Sequence, residues 1–105
     1  MVRTTLSFKV PVVIREDYVM YLELCQGMLW FHTDVHKWTP KVKVKYLEDL
    51  NLLQYLVNAP IAALVDVDNV KLAKFGKSTG WFKLNELIVN DKKYDVYTRS
   101  KTWVA

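Results

Sequence analysis

The residues of this chain with the most chemistry in them are His32, Asp34 and His36, which recur at every second position. On a strand that period puts all three side chains on one face, where imidazole and carboxylate groups can share a metal ion or pass a proton. Same-face neighbours on a strand stand about 7 Å apart, which is wide for one ion unless the strand bends. The expectation is therefore a polar strand face, and no metal site is assigned. Asp66 and Asp68 form a second acidic pair, but Asp68 suits a helix N-cap and needs no cation to explain it. Cys25 has no helix N-terminus and no fixed base nearby to lower its pKa. As the single cysteine it excludes an intramolecular disulfide and fits a reducing compartment. Ser78 and Ser100 lie in no nucleophile motif.

The formal net charge is +4, and the bases concentrate late in the chain. Lys71, Lys74, Lys77, Lys83, Lys92, Lys93, Arg99 and Lys101 face only Glu86, Asp91 and Asp95 over residues 70–105. Trp81, Tyr94, Tyr97 and Trp103 are interleaved with these bases. That pattern fits single-stranded nucleic acid, through stacking and phosphate neutralisation. It equally fits a hairpin with one buried face and lysines guarding an edge. Half the residues are apolar and a quarter are charged, as in an ordinary globular domain. Residues 1–14 lack the uninterrupted apolar core of a signal peptide, and no stretch is long enough to span a membrane. The expectation is one cytoplasmic domain over residues 1–105, with no membrane partner.

The elements that position these residues follow from periodicity. Residues 4–10 alternate apolar and polar, which predicts a half-buried strand ended by Pro11. Residues 12–17 are ambiguous between a loop and one helical turn. Residues 18–24 and 28–35 are β-rich runs joined through Gly27, a hairpin signal. Thr39 caps the next helix, with Pro40 at its first position, where a missing N–H costs nothing. Val42, Tyr46, Leu50, Leu53 and Val57 form its stripe. Leu47, Leu52, Tyr55 and Leu56 widen that stripe, so the helix should be largely covered by sheet. Asn58 and Pro60 end it. Residues 61–67 read as a buried central strand. A short helix follows, with Asp68 or Asn69 as cap and Gly80 as stop; Leu72, Phe75, Gly76 and Thr79 share one of its faces. Residues 81–89 and 93–99 flank a second hairpin turn. The fold class is α+β, in the order β-β-β-α-β-α-β-β, a mixed sheet with two helices packed on its faces.

That order resembles the GNAT acyltransferase fold in truncated form, over residues 18–99. In that family the second helix opens with Asn and closes with Gly followed by an aromatic residue. Asn69 here stands eleven residues before Gly80, and Trp81 takes the aromatic place. The chain is also similar to the small, diverged GNAT-like proteins of tailed phages, which carry a Phe where Phe75 stands. The resemblance implies an acetyl-CoA site at the start of the long helix. Carried over, its cofactor-contacting positions are Thr33, Val35, Lys37, Thr39, Lys41 and Asn69.

Two departures bear on activity. The family binds the CoA pyrophosphate on a glycine-containing loop, because bare N–H groups at a helix start suit phosphate. Here the loop is Asp34-Val35-His36-Lys37-Trp38-Thr39-Pro40, without glycine. Many members also place a tyrosine acid four residues before the closing glycine, and here that position is Gly76. His36 or Tyr94 would have to carry the proton instead. The expectation is a protein that binds an unknown partner or a second copy of itself, without a cofactor. The alternatives are an acetyl-CoA-dependent N-acyltransferase with an atypical pyrophosphate site, and a nucleic-acid binder using the C-terminal hairpin. A transferase needs a gap between the strands at 28–35 and 62–67; a binding module should fill it with Trp30, Trp38 or Phe75.

Overall fold

A computed structural model describes residues 8–100. Their elements are β1 (Val10–Ile14), β2 (Tyr18–Cys25), β3 (Met28–Val35), α1 (Pro40–Val57), β4 (Ile61–Asp66), α2 (Val70–Ser78), β5 (Phe82–Val89) and β6 (Lys92–Arg99). Two turns close the hairpins. Gln26 and Gly27 have φ of 52° and 77°, and Asn90 and Asp91 have 50° and 65°. Paired left-handed residues match the twist of the flanking strands, and Gly27 and Asn90 supply that conformation at low cost. The second turn is thus one residue shorter than the sequence suggested, with Lys92 already in β6.

The strands form one mixed sheet in the order β1-β2-β3-β4-β6-β5. β3 and β4 are parallel, as the crossover through α1 requires, and their register is recorded only at Trp30 opposite Ala62. The other neighbours are antiparallel. The first strand differs from expectation. Pro11 does not end a strand; it lies inside β1, with a register break between Pro11 and Val13. β1 is an edge strand, so one side of its backbone makes no ladder and tolerates proline. Residues 4–7 of the expected strand lie outside the described residues.

Both helices sit on one face of the sheet, where the sequence had suggested helices on its faces. Tyr18, Met20, Phe31, Ile61, Val65 and Tyr97 point to that side. They form the core with Val42, Tyr46, Leu50 and Leu53 of α1 and with Trp81. α1 is capped by Thr39, whose hydroxyl accepts from the Val42 N–H at 3.1 Å, and it ends at left-handed Asn58. The widened stripe on α1 is not covered: Leu52, Tyr55 and Leu56 are exposed. Leu52 and Leu56 line an open cavity with Val12, Val13 and Ile14 of β1, which does not close over them. Across the other sheet face run Tyr21, Trp30, His32, Leu64, Tyr94, Phe82 and Leu87, by register with Ala62 and Val96; no helix covers it among the described residues.

Candidate functional site

The sheet opens into a wedge between β3 and β4. The two strands touch at Trp30 and Ala62 and part beyond that pair, so their C-terminal ends cannot share hydrogen bonds. α1 starts from one side of the gap and α2 from the other. An inner cavity of about 60 Å³ is lined by Phe31, Thr33, Tyr46, Phe75, Trp81, Tyr97 and neighbouring aliphatic residues and Gly76. An outer one of about 450 Å³ is lined by Thr33, Val35, Trp38, Asn69, Lys71, Leu72 and Phe75. The inner walls are almost wholly apolar.

One polar atom inside them stands out. The Tyr46 side chain is fully buried, and its hydroxyl has no partner in hydrogen-bonding geometry. Burial pushes its pKa up to about 12, against an opposite pull from Thr33 and the Arg99 charge. Around Tyr46 the aromatic rings stack edge to face: Tyr18 at 4.9 Å, Trp38 at 5.3 Å and Phe75 at 5.5 Å. Trp38 and Phe75 themselves meet at 4.9 Å. This ring chain joins the start of α1 to α2 beside the wedge. Trp30 plays no part in it, since it lies on the opposite sheet face.

The start of α1 decides what anions the wedge can hold. Both the His36 and Lys37 backbone N–H groups donate to one acceptor, the Asp17 carbonyl, at 2.8 and 3.2 Å. Pro40 has no N–H. The Val42 N–H donates to the Thr39 hydroxyl and the Lys43 N–H to the Thr39 carbonyl. Of the donors that make a helix start attractive to phosphate, Pro40 supplies none and those of Val42 and Lys43 are engaged, as are the two loop amides before them. The loop is turned toward the β1–β2 connection. There Arg15 binds Asp49 with two bonds of 2.9 Å and Tyr18 donates to the same carboxylate at 2.5 Å.

Of the positions carried over from the family, Thr33, Val35 and Asn69 meet at the outer cavity. Asn69, not Asp68, caps α2: its side-chain oxygen accepts from the Leu72 N–H at 3.0 Å. Lys37 and Lys41 are exposed and Thr39 is engaged as the α1 cap; none of the three lines either cavity. His36 lies past the end of β3, exposed. Tyr94 lies on the helix-free sheet face, with the Lys92 ammonium 5.9 Å from its ring centre. Trp38 and Phe75 border the outer cavity, as the sequence suggested for side chains filling the gap, whereas Lys71 and Leu72 are lining residues that no motif indicates.

The other candidate clusters resolve into pairs. His32 binds Glu23 across the hairpin at 2.7 Å, and Asp34 accepts from the Tyr21 hydroxyl at 2.9 Å. His36 is not on their strand. Among the described residues no group of three or more His, Cys, Asp or Glu side chains is placed to hold a metal ion. Asp66 accepts from Lys92 at 2.6 Å and from the Asp68 N–H, which holds its carboxyl below the usual range. In the basic hairpin, Lys83 pairs with Glu86 at 2.9 Å and Asp95 at 3.2 Å, and Lys93 with Glu86 at 3.4 Å. Trp81 and Tyr97 are buried in the core, out of reach of a stacking base. Arg99, read from sequence as one of the surface bases, is buried. Its guanidinium donates to the Thr79 carbonyl at 2.9 Å and to Asn51 at 2.6 Å, tying β6 to both helices.

No protein-family model and no curated protein sequence matches the chain. Among solved structures it is similar to a spermidine N-acetyltransferase, a SpeG K23–Q34 chimera from Vibrio cholerae and hSSAT. The TM-score is 0.55 at 11% identity, over 81% of this chain and 68% of the other. The parting of β3 and β4, the helix crossing between them and the inserted β6 are the GNAT acetyltransferase arrangement, and the fold of this chain is GNAT-like.

Proposed function

We propose that this chain is a GNAT-like protein that acts by binding, without acyl transfer and without CoA. One observation carries the reading: the His36 and Lys37 amides, which open the phosphate-binding end of α1, both donate to the Asp17 carbonyl. A pyrophosphate would have to displace those bonds and then meet a helix start whose first residue is proline. Gly76 at the position of the family's tyrosine acid supports the same reading, since glycine has no proton to give. An accessory role and an origin in a tailed phage belong to this proposal on the sequence resemblance alone, and a place in the cytoplasm on the single cysteine and the polar interruptions of residues 1–14.

A second reading is favoured by the cavity. Thr33, Val35 and Asn69 line an open cleft of about 450 Å³, so an acyl-CoA-dependent N-acyltransferase would have walls for its cofactor's apolar arm. It would have to release the Asp17 contact to hold the phosphates. Thermal unfolding in a titration of acetyl-CoA and of CoA separates the two. A ligand at a hundredfold its Kd stabilises by about 2.7 kcal/mol, several degrees in a domain of this size. The binding reading expects no saturable shift at millimolar cofactor; a saturable one would restore the transferase.

A further inference from the structure

The two edges of the sheet are built differently. β1 is five residues long, contains Pro11 and breaks register beside it, devices that blunt an edge. β5 is eight residues long, contains no proline and is exposed at every position. Along it Phe82, Leu84, Leu87, Ile88 and Val89 are in contact with solvent, Ile88 at 68%. A long apolar edge of this kind is a template for another strand.

The side chains on β5 specify which strand. Opposite β6, Phe82 pairs with Thr98, Lys83 with Tyr97, Asn85 with Val96, Glu86 with Asp95 and Leu87 with Tyr94. Leu84 is the extra residue, and its bulge brings Lys83 and Glu86, three apart in sequence, onto one sheet face, where they meet at 2.9 Å. It likewise puts Phe82, Asn85 and Leu87 together on the other face. Without the bulge neither set would share a face. The order along the edge is therefore apolar, base, amide, acid, apolar, and it reads as its own complement when reversed.

We infer that β5 is the interface of a two-fold homodimer, in which the β5 strands of two copies pair antiparallel about Asn85. In that register Phe82 lies opposite Leu87 of the second copy and Lys83 opposite its Glu86, each with its symmetry mate, on matching faces. The two Asn85 amides meet on the axis, where each can donate to the other. A closed two-fold contact needs such self-complementarity, and opposite charges across paired strands favour it while like charges oppose it. The result is one sheet of twelve strands, and it holds whether or not the wedge binds CoA.

The test is the self-association of the full chain by sedimentation equilibrium, with Lys83→Glu, Glu86→Lys and an equimolar mixture of the two. Like charges then face each other in either variant alone, and unlike charges in the mixture. The expected result is a wild-type dimer, a Kd raised about tenfold or more in each variant, and recovery in the mixture. Hydrogen exchange of wild-type β5 amides, slowing as protein concentration rises, gives the same answer without any variant. A wild-type monomer at hundreds of micromolar overturns the inference. So does a dimer whose β5 amides exchange at a concentration-independent rate, or one abolished by removing residues 101–105 alone.

Discussion

The His36 amide lies 2.8 Å from the Asp17 carbonyl, and Lys37 donates to the same oxygen at 3.2 Å. One carbonyl in the β1–β2 connection thereby engages two backbone donors of the loop that leads into α1. The aromatic chain beside them fixes the loop, because Trp38, the next residue, packs on Tyr46 and Phe75.

Trp38→Ala should widen the outer cavity and cost about 2 kcal/mol, less than a fully buried tryptophan because Trp38 is 39% exposed. It should not create CoA binding, since the Asp17 bonds remain. Urea unfolding and a cofactor titration of the same variant check both halves. Gained CoA affinity would mean that the ring, not the engaged amides, excludes the ligand.

Tyr46→Phe removes a buried hydroxyl that has no hydrogen-bond partner. Stability should be unchanged or higher by up to about 1 kcal/mol, measured by denaturant unfolding. A loss above about 1 kcal/mol would show that the hydroxyl is bonded in the folded protein.

Arg99→Ala should be among the most damaging single changes, at about 2 kcal/mol, because it strands the buried Thr79 carbonyl and removes the bond to Asn51 that ties β6 to α1. Arg99→Lys should recover only part, since an ammonium lacks the fork that reaches both acceptors. Gly80→Ala should also destabilise. Its φ is +94°, and an added Cβ would meet the Arg99 Nε at 3.1 Å. Thermal melts of the three variants rank these effects.

Asp49 ties Arg15 and Tyr18 together, and the Arg15 hydrogen bonds are the main reason its carboxyl is held below the ordinary value of 3.8. A folded pKa lower than the unfolded one adds stability that is complete above the unfolded value and is lost as pH falls through the folded one. The contribution should therefore be intact at pH 6 and decline below about pH 4. Asp49→Asn should lower stability at pH 6 and flatten the acid limb. Denaturant midpoints from pH 2 to 7 for both proteins test this; parallel acid limbs would contradict it.

Legibility in the sequence followed the range of the forces. Thr39, Pro40, Asn58 and Asn69 act within a few residues of themselves, and the helix ends they imply are where the structure has them. The hairpin turns at Gly27 and Asn90 were legible for the same reason. Misjudgements arose where a distant partner decides. Pro11 is tolerated because β1 is an edge, Leu52 and Leu56 stay exposed because β1 leaves an open cavity beside them, and Arg99 is buried because Asn51 and Thr79 receive it. Within the site, Thr33, Val35 and Asn69 were readable from a motif, but nothing local to His36 and Lys37 reveals Asp17 as their acceptor. The missing glycine in that loop was the one hint available.

The most direct test of the central claim is amide NMR of the wild-type chain, reading the His36 and Lys37 N–H groups. Hydrogen exchange without ligand reports whether they are bonded, and a titration to millimolar acetyl-CoA reports whether they can be recruited. The account predicts slow exchange at both amides and no saturable movement of their signals or those of Lys41 and Val42. Fast exchange, with a saturable shift of these signals on adding cofactor, would contradict it.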